Sequence, residues 1–110
     1  MSFVAVIVDF DSTLTRLVLE EMVTQTVLPF NDETMDLRKG DVLEFSFAGL
    51  VFRDYRLLVC NTSVTSLAKL SNQDLFCQGF LYRPFFEKFM LQRGVAVDDT
   101  VIKVDFKVIG

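Results

Sequence analysis

The sequence predicts an α+β domain: a small mixed sheet, largely antiparallel and closed into a β-barrel, flanked by two or three helices. Two observations carry this. A chain of 110 residues, 51% apolar and 24% charged, makes one domain (1–110) with one core, and twelve Phe with no Trp make that core phenylalanine-built. Its strand-like and helix-like segments follow one another in mixed order, without the βαβα alternation of a doubly wound sheet.

Phe3 to Val8 is apolar and β-branched and reads as a buried strand. Asp11 or Ser12 can cap a following helix, on which Leu14, Leu17, Val18 and Met22 recur at helical spacing. Thr24 to Phe30 reads as a short strand closed by Pro29, and Asn31 to Lys39 as a polar loop. Gly40-Asp41 opens the strand "DVLEFSF", and Ala48-Gly49 turns into a second. Arg53 to Val64 is a longer strand; Ser66 to Gly79 is a short helix or two turns. Arg83-Pro84 starts a helix whose apolar face is Phe85, Phe86, Phe89 and Met90, and Gly94 stops it. In Thr100 to Ile109, Val101, Lys103, Asp105 and Lys107 alternate with Ile102, Val104, Phe106 and Val108, the pattern of a closing strand.

The composition excludes several chemistries. There is no histidine, so Ser–His, Cys–His and His–zinc sites cannot form within one chain, and neither a metal nor a cofactor is expected. Cys60 and Cys77 stand alone, without a CxxC, and fit reduced thiols in a cytoplasmic protein better than a disulfide scaffold, with a bridge between the two as the alternative. Cys77 would act as a nucleophile only beside a base that ionised it. No apolar run reaches the roughly 18 to 20 residues that span a membrane, and the N-terminus has no basic region of the signal-peptide kind. The net charge of −4 disfavours non-specific binding to nucleic acid.

Residues 6 to 15, "VIVDFDSTLT", resemble the first motif of the haloacid dehalogenase phosphatases, in which the first aspartate attacks phosphate and the second handles the proton. "RLLVCNTS" and "GVAVDDT" could pass for later motifs, with Thr62, Asp98 and Asp99 in the matching places and Lys69 or Lys88 as the lysine between. Only 36 residues separate Thr62 from Asp98, too few for the crossover units that fold requires. Asp9, Asp11 and Ser12 are expected instead to lie between a strand and a capped helix, and Asp98-Asp99 in a turn.

"TQT" (24 to 26), "MDLRKGDVLEFSF" (35 to 47), "YRLLVCNTSVTSLAKLS" (55 to 71) and "VIKVDFKVIG" (101 to 110) together resemble the ASCH domain of the PUA-like superfamily, and more closely its small bacterial N4-acetylcytidine amidohydrolase branch. The resemblance implies a small barrel with a cleft beside it, served by a lysine, a threonine partner, an arginine and a glutamate. Here the lysine place falls on Val23, or on Met22 under a one-residue shift. The arginine falls on Leu28 and the glutamate near Gln78, while Thr24 and Thr26 remain. No basic residue exists between Arg16 and Arg38. A valine cannot shuttle a proton, so no enzyme activity is expected.

Glu20, Glu21, Asp32 and Glu33 are expected around the cleft and would make it acidic. The reading that follows is a catalytically silent ASCH-like binding protein with a protein partner or a second copy, of a kind found among phage and mobile-element products. Glu20, Glu21, Tyr82 and Arg83 are the candidate partner contacts, and Thr24, Thr26 and Gln78 the candidate cleft residues. The alternative is an RNA- or nucleoside-binding module with Arg38 and Lys39 on phosphate.

Overall fold

The computed structural model describes residues 6–110. The element order is β1 (Ile7–Phe10), α1 (Ser12–Leu19), β2 (Gln25–Pro29), β3 (Val42–Phe47), β4 (Leu50–Val51), β5 (Arg56–Ser66), a 3-10 turn (Leu67–Lys69), α2 (Asn72–Cys77), α3 (Arg83–Gln92) and β6 (Thr100–Ile109). The strands form one six-stranded sheet in the order β1-β3-β5-β6-β2, with β4 hairpinned onto β3. Only β1 and β3 run parallel. The sheet is α+β and mostly antiparallel, as the mixed element order predicts.

It does not close. β1 and β2 stand at opposite ends of the strand order, and no ladder joins them among the described residues. Phe80 and Phe89 reach into this seam and pack against both halves of the core, taking the space a closing ladder would occupy. The expected barrel is therefore a curled, open sheet.

The core has two layers. Alternate β6 residues Ile102, Val104 and Phe106 join Val8, Phe10, Leu43, Phe45, Leu57 and Val59 inside the curl, where α1 adds Leu14 and Val18. The other face of β6 offers Val101 to Leu75, Phe86 and Met90 of α2 and α3. The period-two pattern of "VIKVDFKV" thus serves two apolar surfaces, with Lys103 and Asp105 on the helix side.

The element ends follow from capping. The Asp11 carboxylate accepts the Leu14 N–H at 2.8 Å and starts α1. Ser71 and Asp74 form a reciprocal capping box on α2. Pro84 occupies the first turn of α3. The strand expected over Phe3 to Val8 is seen as Ile7–Phe10, and residues 3–5 lie outside the described residues. Met22 lies beyond the end of α1 and is exposed, so it is not part of that helix's buried face. Phe85 is also no core residue: at 66% exposure it faces outward, because Phe86 and Met90 take the inner face of α3.

Candidate functional site

The open seam is a cleft of about 270 Å³. One wall is Ile7 to Phe10 of β1 and the other Gln25 to Pro29 of β2; Leu14, Phe80, Phe86, Phe89 and Met90 supply most of the apolar lining. Its polar side chains include Thr26, Gln78 and a pair at the β1 wall, Asp9 and Arg93. The Arg93 guanidinium lies over the Phe89 ring, 5.0 Å from its centre. It donates to the Asp9 carbonyl at 2.7 Å and approaches the Asp9 carboxylate at 3.9 Å. That carboxylate also accepts the Ser46 hydroxyl at 2.6 Å.

A polar network lies where β2, β6 and α2 meet. The Gln25 amide nitrogen donates to Asp105 at 2.8 Å and to Asp74 at 3.2 Å, and its oxygen accepts from Gln78 at 2.8 Å. Lys103 donates to Asp74 at 3.2 Å. Gln25 and Gln78 are both buried. Burial alone would raise the pKa of Asp74. The Ser71 N–H, the Gln25 amide, the Lys103 ammonium and the Ser71 hydroxyl outweigh burial and lower it to about 2. Gly79, at φ +92°, follows Gln78 directly; a Cβ there would come within 2.9 Å of Leu14 and 3.1 Å of Val23. Only glycine lets the chain leave α2 this close to α1, and that turn holds Gln78 in place.

Thr26 and Gln78 face the same cleft. Thr24 is exposed; its N–H donates to Cys77 and its carbonyl accepts from Phe106, both at 2.9 Å. Val23 is buried in the core at 2% exposure, and Leu28 lines the wall. The cleft is not acidic. Glu20, Glu21, Asp32 and Glu33 are exposed and do not line it; Glu20 pairs with Arg16 along α1. The cleft's charged side chains are Asp9 and Arg93, which pair with each other. Arg38 and Lys39 lie exposed in the turn before β3, away from the lining. Tyr82 is 57% exposed and packs edge-on against Phe85. Arg83 does not stand on an exposed edge as expected: it is half-buried and donates to the carbonyls of Leu67 and Leu70.

The aspartates of the phosphatase-like motif make contacts within the fold. β1 is an edge strand, Asp9 is tied to Ser46 and Arg93, and Asp11 caps α1. The Thr62 hydroxyl donates to Leu37, and Asp99 accepts the Ala96 N–H in the turn before β6. Among the described residues no three Cys, Asp or Glu side chains converge as metal ligands, and no helix is long and apolar enough to cross a membrane. Cys60 and Cys77 are both free thiols.

Sequence reasoning missed Gln25, Asp74, Lys103, Asp105 and Arg93. Two signals pointed toward the network: the Ser71-x-x-Asp74 capping pattern and the shared face of Lys103 and Asp105 on β6. Nothing local marks Arg93, which meets Asp9 across 84 positions of chain.

No protein-family model and no curated protein matches the chain. Solved structures do. An Enterococcus faecalis V583 protein of the DUF984 family superposes with a TM-score of 0.70 at 16% identity, over 99% of this chain and 82% of that one. The hypothetical protein PH0355 gives 0.72 at 13% identity, over 94% and 97%. The ASCH domain from Lactobacillus crispatus JV V101 gives 0.63 at 12% identity, over 94% and 79%. The chain has the ASCH/PUA-like fold, as the motifs in its middle and terminal strands imply.

Proposed function

We propose that this ASCH-fold chain is a binding protein without amidohydrolase chemistry that works through a protein partner. One observation carries the reading: the places where that chemistry needs charge hold buried Val23, apolar Leu28, and Gln78, whose amide is committed to Gln25. A neutral amide cannot take the proton, and the one cation in the lining, Arg93, is bound to the β1 edge rather than free for an oxyanion.

The outer surface offers a partner more. Phe76, Leu81, Tyr82 and Phe85 are 57%, 89%, 57% and 66% exposed and cluster at the α2–α3 junction. A groove of about 510 Å³ runs beside Phe76, Leu81 and Tyr82. Exposed aromatic and aliphatic groups gathered in this way mark protein interfaces. The partner is a protein with an apolar face that fills this groove, and a small acidic regulator of the phage or mobile-element kind fits such a use. The second reading, an RNA or nucleoside module, draws on the aromatic lining of the seam cleft and on the fold shared with an ASCH domain.

The test runs three assays on one preparation. Hydrolysis of N4-acetylcytidine and binding to single-stranded RNA should both be absent at physiological salt. A nuclease-resistant protein partner should bind the native chain and lose at least tenfold in affinity with Leu81→Glu. Hydrolysis would overturn the silent site; RNA binding unaffected by Leu81→Glu would move the function to the second reading.

A further inference from the structure

The sheet has more than one free edge, and most are blunted. On β1, Arg93 caps the Asp9 carbonyl at 2.7 Å. On β2, Pro29 has no N–H to offer and its carbonyl accepts the Thr34 hydroxyl at 2.6 Å. β4 is two residues long. Proteins protect sheet edges by such means, because a bare edge is a template for another strand.

β5 is the exception. β3 pairs with it only at Leu57 and Leu58, and the turn before β3 reaches Val59 through Gly40 and Asp41. From Asn61 to Ser66 the strand is laddered to β6 alone. Among the described residues, no backbone–backbone hydrogen bond joins it to any segment but β6, and outside that ladder the Thr62 hydroxyl meets the Leu37 carbonyl at 3.4 Å. The bare stretch is about 20 Å long at strand rise. Asn61, Ser63 and Val64 are exposed, and Thr62, Thr65 and Ser66 half-buried. The segment from Leu57 to Ala68 contains no charge, and Thr and Val favour strands.

We infer that this edge of β5 pairs antiparallel with the same edge of a second copy, making a symmetric dimer about Ser63. An antiparallel strand is its own complement under a two-fold axis, so one surface serves both partners. With Ser63 opposite Ser63 of the other copy, Thr62 meets Val64 and Asn61 meets Thr65. These are β-branched and polar pairs that favour cross-strand contact, and no like charges oppose. A sequence-specific foreign peptide would need pockets for alternate side chains beside the edge, whereas short Ser, Thr and Val side chains suit an identical strand. A five-residue ladder, Asn61 to Thr65, is a small interface, so association is weak and reversible. The inference is independent of the partner groove at the α2–α3 junction, which the dimer leaves open.

Sedimentation equilibrium of the native chain tests this. The mass should approach twice 12.6 kDa at high concentration and return to 12.6 kDa on dilution. Val64→Lys, at a side chain 56% exposed, should stay monomeric at every concentration with an unchanged melting temperature. Ser63→Cys, with Cys60→Ser and Cys77→Ser, should oxidise to a covalent dimer, since directly opposed strand residues lie at disulfide range. A native chain monomeric at all concentrations, a Val64→Lys dimer as tight as the native one, or dissociation by Leu81→Glu instead would each overturn the inference.

Discussion

The side-chain amides of Gln25 and Gln78 meet at 2.8 Å, with Gln78 donating and Gln25 accepting. The direction is fixed by what lies behind them. Gln25 gives both amide protons to carboxylates, Asp105 and Asp74, so only its oxygen remains for Gln78. Gln78 must then present its NH₂, which a carboxylate could not do. The network therefore demands a neutral donor at the place where the ASCH resemblance calls for glutamate.

Gln78→Glu should accordingly destabilise the fold by about 2–3 kcal/mol at neutral pH, because a buried carboxylate would face the Gln25 oxygen. Burial raises the pKa of the new group. The cost should be greatest above that raised pKa and shrink as pH falls through it, when the protonated acid donates again. Urea unfolding at several pH values reads this out. A variant as stable as the native chain at pH 8 would show that the network is not closed as described.

Asp74 contributes to stability in acid. Its pKa is lowered from 3.8 to about 2 by the hydrogen bonds from Ser71, Gln25 and Lys103, which outweigh burial. A depressed carboxylate stabilises fully above its unfolded value, and that contribution is lost as pH falls from 3.8 through about 2. With solvent screening it is on the order of 1 kcal/mol. Asp74→Asn should be less stable than the native chain at pH 6 by that amount, and the two unfolding curves should converge near pH 2. A gap that stays constant over this range would assign the loss to α2 capping rather than to charge.

Much of the fold was legible in the chain. The β6 alternation, the Asp11 cap, the Pro84 start and the Gly79 stop are all local signals, and each element stands close to where they put it. The open seam was not legible, because closure depends on whether side chains from distant segments fill the gap. Phe80 and Phe89 do so, and the sequence shows only that they are apolar. The cleft's electrostatics failed for a related reason. Glu20, Glu21, Asp32 and Glu33 are near the cleft strand in sequence, but the chain turns them outward. Its one charged pair, Asp9 and Arg93, is joined only by the tertiary fold.

The β3–β4 hairpin carries an avoidable strain. Ala48 and Gly49 both have positive φ, at 50° and 80°. A two-residue turn of this kind favours Asn-Gly, and a left-handed alanine costs roughly 1–2 kcal/mol. Ala48→Asn should therefore raise stability by about 0.5–1 kcal/mol without touching the cleft. Thermal unfolding checks it; a lower melting temperature would mean that this turn takes another conformation.

Arg93 guards the β1 edge. Its guanidinium spans the Phe89 ring and the Asp9 carbonyl together, a combination that planarity and several donors allow and an ammonium does not. Removing it leaves the carbonyl to water and the edge bare beside the exposed Ile7. Arg93→Ala should cost about 1–2 kcal/mol, combining a charge-assisted hydrogen bond with the cation–π contact. It should also add a second sticky edge, so that warmed solutions form species larger than a dimer. Arg93→Lys should restore less than half of the stability and keep the protein free of those larger species, since a lysine still blunts a strand edge. Light scattering through the thermal transition separates the two effects. Arg93→Ala that scatters no more than the native chain would show that Phe80 and Phe89 alone shield the seam.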